Sequence, residues 1–336
     1  MKVILKRALI YIAMACLLCA CGKAGKVQGT PSPEFSADSA YMYISEQVAF
    51  GARIPGSGAH YECVRYLREQ LERFGCDVEL QQGQMLDYEG KPQQVVNIIG
   101  HITGGDPAKR RILLCAHYDS RPWADQEEDY DSRRQPVLGA NDGASGVGVL
   151  LEIARQIRLW NTEHAKQVNC DIVFFDCEDM GTPEFFTGKE RENTWCLGSQ
   201  MWAREYNESQ SIKSKSRSTY RYGILLDMVG APDAVFPKEY YSVQYAGNRV
   251  EEVWRTADRL GYGSLFANMP SYPVTDDHYY INTIAGIPCI DIINYNPTGD
   301  TGFAHWWHTL HDDMNHISHA TLEAVGKTVM KVIVES

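Results

Sequence analysis

Five short apolar runs are spaced along the chain and are separated by longer, more polar segments. Their length and their content of β-branched residues are typical of strands that are buried on both faces of a sheet. We therefore predict strands at residues 95–102, 112–116, 171–175, 222–227 and 289–293.

Helical patterns separate these runs, with apolar residues recurring every three or four positions. Ser36 or Asp38 can cap the first helix, and Gly75 ends the second. The predicted helices cover residues 36–50, 60–74, 145–159, 198–206, 249–261 and 321–334, and we expect surface loops at 183–193 and 205–219.

The alternation of strands and helices predicts an α/β fold with a mostly parallel central sheet and helices on both of its faces. No internal repeat and no second linker interrupts the pattern after residue 36. We therefore expect residues 36–336 to form one catalytic domain.

The amino terminus has the pattern of a secretory signal peptide, with basic residues followed by an apolar run over residues 8–20. The run ends in Leu18-Cys19-Ala20-Cys21, which resembles the cleavage box of bacterial lipoproteins. Residues 1–20 are thus the predicted signal peptide, and a lipidated Cys21 begins a flexible tether that ends near residue 35. This places the protein at the bacterial cell envelope, facing the periplasm, with the membrane as a partner. A simple N-terminal membrane anchor is the alternative.

The net charge and the cysteine pattern exclude some classes of partner and of metal site. A net charge of −11 repels phosphate backbones, so we predict no nucleic-acid partner. Seven of the ten cysteines follow Cys21, and an odd number at irregular spacings does not indicate a disulfide framework. None shows the paired spacing of a zinc knuckle, so any metal site must use oxygen and nitrogen ligands.

Polar groups follow the predicted strands, where ligands bind in open α/β sheets. The second strand ends in His117, and Asp119 follows two positions later. His117 can bind a metal while Asp119 accepts a hydrogen bond from its second ring nitrogen. The alternative is a surface histidine in a loop.

Two aspartates have roles that depend on their partners. Asp142 precedes the predicted helix at 145, where it could be only an N-cap. Asp227 ends an otherwise apolar strand, and burying it alone would cost several kcal/mol, so a cation or a hydrogen-bond donor should lie nearby.

Glu178 and Asp179 directly follow a buried strand. Neighbouring side chains in extended backbone diverge, so one of them can bind a metal while the other exchanges protons with a substrate. Metal-assisted carbonyl chemistry needs this division of roles. A solvated loop start is the alternative.

The segment Trp306-Trp307-His308 adds a candidate ligand and two large aromatic side chains. We expect His308 to bind a metal, with Asp312 as its possible hydrogen-bond partner. Trp307 suggests a pocket wall, whereas core packing is an equal alternative for Trp306.

Together these motifs resemble the zinc aminopeptidase family with two catalytic metals, over residues 36–336. The motifs are Ala116-His117-Tyr118-Asp119-Ser120, Asn141-Asp142-Gly143, Phe175-Asp176-Cys177-Glu178-Asp179, Leu226-Asp227-Met228 and Trp307-His308-Thr309. The resemblance implies a mixed central sheet and Glu178 as general acid/base. The implied metal positions are His117, Asp142, Asp179, Asp227 and His308. Asp179 stands where the family usually has a second glutamate.

A closer resemblance is to glutaminyl-peptide cyclotransferases of Bacteroidetes-type bacteria. It rests on the segments 225–232, Thr275-Asp276-Asp277-His278, Gly286-Ile287-Pro288 and 307–313. These enzymes convert N-terminal glutamine to pyroglutamate and release ammonia, so the implied partners are peptides and proteins that begin with glutamine. One zinc ion per chain is implied, bound by Asp142, Asp179 and His308.

The same resemblance assigns roles around Glu178. His117 and Asp227 remain without a second metal, and Asp227 and Asp276 form a hydrogen-bonded network near Glu178. Trp307 lines the substrate pocket, whereas the sequence leaves open whether Trp195 joins it. Asp291 stands where animal cyclases have a histidine of the network.

Two other functions remain as alternatives. A dinuclear zinc aminopeptidase would use all five metal positions, and a binding protein would keep the fold with an inactive site. The sequence indicates no oligomeric state.

Overall fold

The structure is a computed structural model that describes residues 34–212, 219–299 and 302–336. The predicted signal peptide, the lipidated Cys21 and the tether up to residue 33 lie outside the described residues. Phe35, near the start of the described residues, is already buried in the core.

Eight strands occur in the described ranges: β1 (Asp77–Leu86), β2 (Pro92–Ile102), β3 (Arg111–His117), β4 (Cys170–Phe175), β5 (Tyr220–Asp227), β6 (Phe236–Lys238), β7 (Phe266–Pro270) and β8 (Cys289–Ile293). Six of them form one sheet in the order β1-β2-β4-β3-β5-β8, and β6 pairs with β7. β3 runs parallel to β4 and β5, and β5 runs parallel to β8, whereas β2 is antiparallel to both of its neighbours. The predicted mixed, mostly parallel sheet is confirmed.

The helices of the described chain are α1 (Ala37–Ala49), α2 (Gly58–Arg73), α3 (Ala144–Glu163), α4 (Leu197–Ile212), α5 (Tyr240–Arg259), α6 (Asp277–Thr283) and α7 (His319–Glu335). Serine hydroxyls cap three of them, since Ser36, Ser57 and Ser318 each accept a hydrogen bond from a backbone amide of the first turn. In the described part of the chain, no helix has the length and apolar character needed to cross a membrane.

Helices cover both faces of the sheet. Along β3, Leu114 and Ala116 belong to the larger core, which includes residues of α1, α2, α3, α5 and α7. Leu113 and Cys115 point to the other face and pack in a smaller core with residues of α4 and α6. Burial on both faces explains why the central strands are continuous apolar runs rather than alternating ones.

The chain order places a crevice at the carboxyl end of β3. β4 and β5 flank β3, and the helices that follow β3 and β4, α3 and α4, lie on opposite faces of the sheet. His117 is in register with Phe175, so β3 and β4 end together. Where successive helices lie on opposite faces of a sheet, a crevice forms beyond the strand ends. The residues that follow each strand can meet there.

All five predicted strands are present, whereas β1, β6, β7 and α6 were not predicted. β1 is an edge strand in which Gln81 alone is buried, so it has no apolar run. α5 begins at Tyr240 rather than near Arg249, since the non-helical backbone of Ala246 interrupts its periodicity. The prediction of a loop from residue 205 was wrong in its first part, because α4 continues to Ile212.

The seven cysteines of the body are all free and buried. Cys115, Cys170, Cys177 and Cys289 are core residues with no exposed surface. A buried thiol behaves as a small apolar side chain.

Candidate active site

Three side chains from distant segments converge in the crevice. Asp142 precedes α3, Asp179 follows β4, and His308 lies between β8 and α7. Nε2 of His308 is 3.1 Å from Oδ1 of Asp179 and 3.5 Å from Oδ2 of Asp142. All three residues are buried, and their donor atoms lie within 4.8 Å of one another. The structure thus brings together the three residues predicted as zinc ligands.

The donor set fits a zinc ion. One imidazole nitrogen and two carboxylate oxygens are ligands that zinc binds, and catalytic zinc sites commonly use three protein ligands. Oδ2 of Asp179 is buried without a hydrogen-bond partner, which is costly unless a cation or a proton satisfies it. Burial lowers the pKa of His308, but the surrounding carboxylates raise it to about 10. The site therefore favours positive charge.

A second group shares Asp142 with the first. Nε2 of His117 lies 3.0 Å from Oδ1 of Asp142 and 3.1 Å from Oδ1 of Asp227. These three side chains are also within 4.8 Å of one another. Burial raises the pKa of Asp227 to about 8, although the hydrogen bond with His117 opposes this shift. Asp142 therefore lies between two histidines, with one oxygen toward each.

The loop before α3 holds Asp142 by its backbone. The N-cap of α3 is Gly143 and has no side-chain cap, so the alternative that Asp142 is only an N-cap is wrong. Asp312 accepts hydrogen bonds from the amides of Asn141 and Asp142, at 2.8 and 3.0 Å. Asp312 was predicted as a partner of His308, and it supports the other ligand instead.

The segment from Asn141 to Ser145 also binds the loop that follows β5. Asn141 Oδ1 accepts from the amide of Gly230, and Ser145 Oγ accepts from the amide of Val229. A Cβ at Gly146 would lie 2.1 Å from the carbonyl oxygen of Leu226, so only glycine permits this approach of α3 to β5. The small residues after Asp142 thus place it beside Asp227.

Asp119 fixes the loop that carries Glu178 and Asp179. Its two carboxylate oxygens accept hydrogen bonds from the amides of Glu178 and Asp179, at 3.1 and 3.2 Å. Nδ1 of His117 lies 3.4 Å from Oδ1 of Asp119, and these are the two groups between which a hydrogen bond was predicted. Asp119 therefore contacts both His117 and the loop that carries Glu178 and Asp179.

Three residues at the site have left-handed backbone conformations that are uncommon without glycine. Cys177 precedes Glu178 with φ of 53°, Met228 follows Asp227 with φ of 49°, and His308 has φ of 54°. Such strained backbone persists where the surroundings fix it, and it is frequent at functional sites. These backbone conformations direct the side chains of Glu178, Asp227 and His308 into the crevice.

Arg121 and Asp125 also belong to the site, and the sequence did not predict them. Oδ1 of Asp125 lies 3.5 Å from Nδ1 of His308, and its Oδ2 accepts from Arg121 at 2.6 Å. Against the effect of burial, hydrogen bonds with His308 and Arg121 lower the pKa of Asp125. Metal-binding histidines commonly have a carboxylate at the second ring nitrogen.

Arg121 connects this pair to the rest of the site. It donates to the carbonyl oxygens of Asp179 and Gly181, at 2.9 and 3.0 Å, and its guanidinium carbon lies 4.6 Å from the ring centroid of Trp195. The spacing of four between Arg121 and Asp125, just after the His117 motif, was the available sequence signal.

Glu178 is half-buried at the edge of the crevice. Burial raises the pKa of Glu178 well above its ordinary value, and the neighbouring carboxylates add to the shift, while His117 opposes it. The thiol of Cys196 donates to Oε1 of Glu178 at 3.0 Å. A carboxyl group in this setting is suited to take up and return a proton.

Asp276 and Asp291 lie beside this group. Asp276 is the N-cap of α6, and it shares a cluster within 4.8 Å with Glu178 and Cys196. Its Oδ2 has no hydrogen-bond partner in the described structure, so the implied hydrogen bond with Asp227 is not formed here. Such a bond requires a proton on one carboxyl group.

Asp291 is deeper and fully buried. Its Oδ2 lies 3.6 Å from Nδ1 of His278, whose Nε2 contacts Glu239 at 3.0 Å. Burial raises the pKa of Asp291 well above its ordinary value, as do the charges of Asp276 and Asp227. Asp291 therefore lies in a buried cluster with Asp276 and His278.

Aromatic side chains wall a cleft of about 320 Å³ above these groups. The ring of Trp307 stacks on His308 with 3.6 Å between centroids, and the ring of Trp195 is parallel to His308 at 6.3 Å. Both tryptophans line the cleft, together with Asp142, Glu178, Asp179, Asp227, Met228, Pro273, Val274, Thr275, Asp276, Ile293, Tyr295, Phe303 and His308. Trp306 instead packs in the core.

The chain is similar to proteins of known family and structure. Residues 97–333 match the model of peptidase family M28. A Zn-dependent exopeptidase from Parabacteroides distasonis is 46% identical, with 91% of this chain and 100% of that chain covered and a TM-score of 0.83. The glutaminyl cyclase of Bacteroides thetaiotaomicron bound to N-acetylhistamine is 46% identical at the same coverage, with a TM-score of 0.82. A glutaminyl-peptide cyclotransferase from Bothrops jararaca is 23% identical over 304 residues, which are 84% of this chain and 77% of that protein.

Proposed function

Because this chain belongs to peptidase family M28, we propose that it is a zinc-dependent glutaminyl-peptide cyclotransferase with one zinc ion per chain. Its substrates are peptides and proteins with an N-terminal glutamine, and its products are pyroglutamate and ammonia. The observation that carries the proposal is the convergence of Asp142, Asp179 and His308 below a cleft with Glu178 at its edge. The likeness to a bacterial glutaminyl cyclase supports it.

Asp142, Asp179 and His308 would hold the zinc ion, which when bound would supply Lewis-acid polarisation of a substrate carbonyl group. The carboxylate of Glu178 takes a proton from the α-amine as its nitrogen forms a bond to the γ-carbonyl carbon. Glu178 then gives this proton to the amide nitrogen, whose bond to the same carbon breaks as ammonia leaves. No water is consumed. Trp195 and Trp307 hold the bent substrate and keep water out of the cleft.

A dinuclear aminopeptidase is the second candidate, favoured by the group of His117, Asp142 and Asp227. These three side chains are as close together as the first group, and they offer the same types of donor atom. A peptidase would also have to admit and activate water, which ring closure does not require.

The proposed function is tested with the purified protein and a peptide that begins with glutamine. We expect release of ammonia, a peptide product lighter by the mass of ammonia, and about one zinc ion per chain. Release of free glutamine by a protein with two tightly bound zinc ions would establish the peptidase instead. No bound metal and no turnover of either type would favour the binding protein.

We also propose that Cys21 anchors the protein at the periplasmic side of the cell envelope. The lipoprotein-like box before Cys21 supports this proposal. Intact mass of the mature protein should correspond to a chain that begins at Cys21 and carries acyl groups. A mature chain that begins at another residue would contradict it.

A further inference from the structure

Cys196 contacts Glu178 in two ways. Its amide donates to the carbonyl oxygen of Glu178 at 2.9 Å, and its thiol donates to Oε1 of the same residue at 3.0 Å. The next two residues continue this pairing, since the amides of Leu197 and Gly198 donate to the carbonyl oxygens of Cys177 and Asp176. The start of α4 is thus bound to the loop that carries Glu178.

The position of Cys196 is itself fixed. Its backbone has φ of 55°, a conformation that is strained for a residue with a side chain. Its carbonyl oxygen accepts from the amide of Gln200 and the hydroxyl of Ser199. Cys196 is fully buried, so its thiol is held against Glu178 and is screened from solvent.

We propose that Cys196 is a positioning residue that fixes the carboxylate of Glu178, an inference that rests on the proposed role of Glu178 in cyclisation. With Oε1 held by the thiol, Oε2 is left for the proton exchange. The amide and the thiol of Cys196 bind the backbone and the carboxylate of Glu178 at the same time, so the orientation of the carboxylate is fixed relative to its loop.

The test compares Cys196→Ala with Cys196→Ser, which both keep a Cβ at the strained position. Alanine removes the donor, and we expect kcat to fall about 10- to 100-fold with KM within about twofold, because misplacement of a reacting group by about 1 Å has costs of this size. Serine keeps a donor at the same place, so its kcat should stay within about threefold of the wild-type value.

Cys170→Ala is the matched control. Cys170 is an equally buried thiol at the opposite end of β4, so its loss should lower the melting temperature but not kcat. Zinc content and melting temperature are measured for every variant. Wild-type kcat in Cys196→Ala, or an equal loss in both Cys196 variants, would overturn the inference. Absence of ammonia release by the wild-type protein would instead refute the proposed function.

Discussion

Replacing Glu178 by glutamine is expected to lower kcat about 100- to 10,000-fold, the range that general acid–base catalysis contributes. Glutamine has nearly the same shape but cannot accept the amine proton. The metal-binding side chains are unchanged, so zinc content and KM should stay close to the wild-type values. Ammonia release in a coupled assay, together with zinc analysis of the same samples, checks both expectations.

Glu190→Gln is the control, because Glu190 is an exposed carboxylate in the loop after β4. It should retain full activity. If Glu178→Gln kept most of the wild-type kcat, another group would have to move the proton, and the assignment of Glu178 would be lost.

Replacing His308 by alanine is expected to weaken zinc binding more than 100-fold. Loss of an outer hydrogen-bond partner of a ligand alone costs about 10- to 100-fold in metal affinity, and removal of the ligand should cost more. Ammonia release should fall in parallel, since the substrate carbonyl would no longer be polarised. Competition with a chelator of known affinity measures the zinc binding.

His305→Ala is the control, because it removes an exposed histidine that is close to His308 in the chain. It should change neither zinc binding nor activity.

His117→Ala distinguishes the two groups of candidate ligands, since a single ion bound by Asp142, Asp179 and His308 should remain. Loss of zinc from His117→Ala with retention in His308→Ala would place the ion at the other group.

Much of the fold, and the proximity of several residues of the candidate site, could be predicted because both follow from parallel strands, whereas the proposed zinc ligands were implied by a family resemblance. A buried parallel strand is a continuous apolar run, and neighbouring strands end at the same edge of the sheet. His117, Glu178 and Asp227 follow three adjacent strands, so their proximity follows from the pattern once the strands are assigned.

The supporting contacts could not be predicted, since they join loops whose conformations have no simple sequence pattern. Asp125 reaches His308, and Asp312 reaches the amide of Asp142, across at least 170 residues in each case. Cys196 contacts Glu178 because both ends of the loop 179–195 return to the same place.

The position of Asp142 between two histidines ties the two groups of side chains together. Because each of its oxygens faces a different histidine, a substitution of Asp142 would damage both groups at once. A substitution of His117 or Asp227, by contrast, would leave the contact between Asp142 and His308 in place.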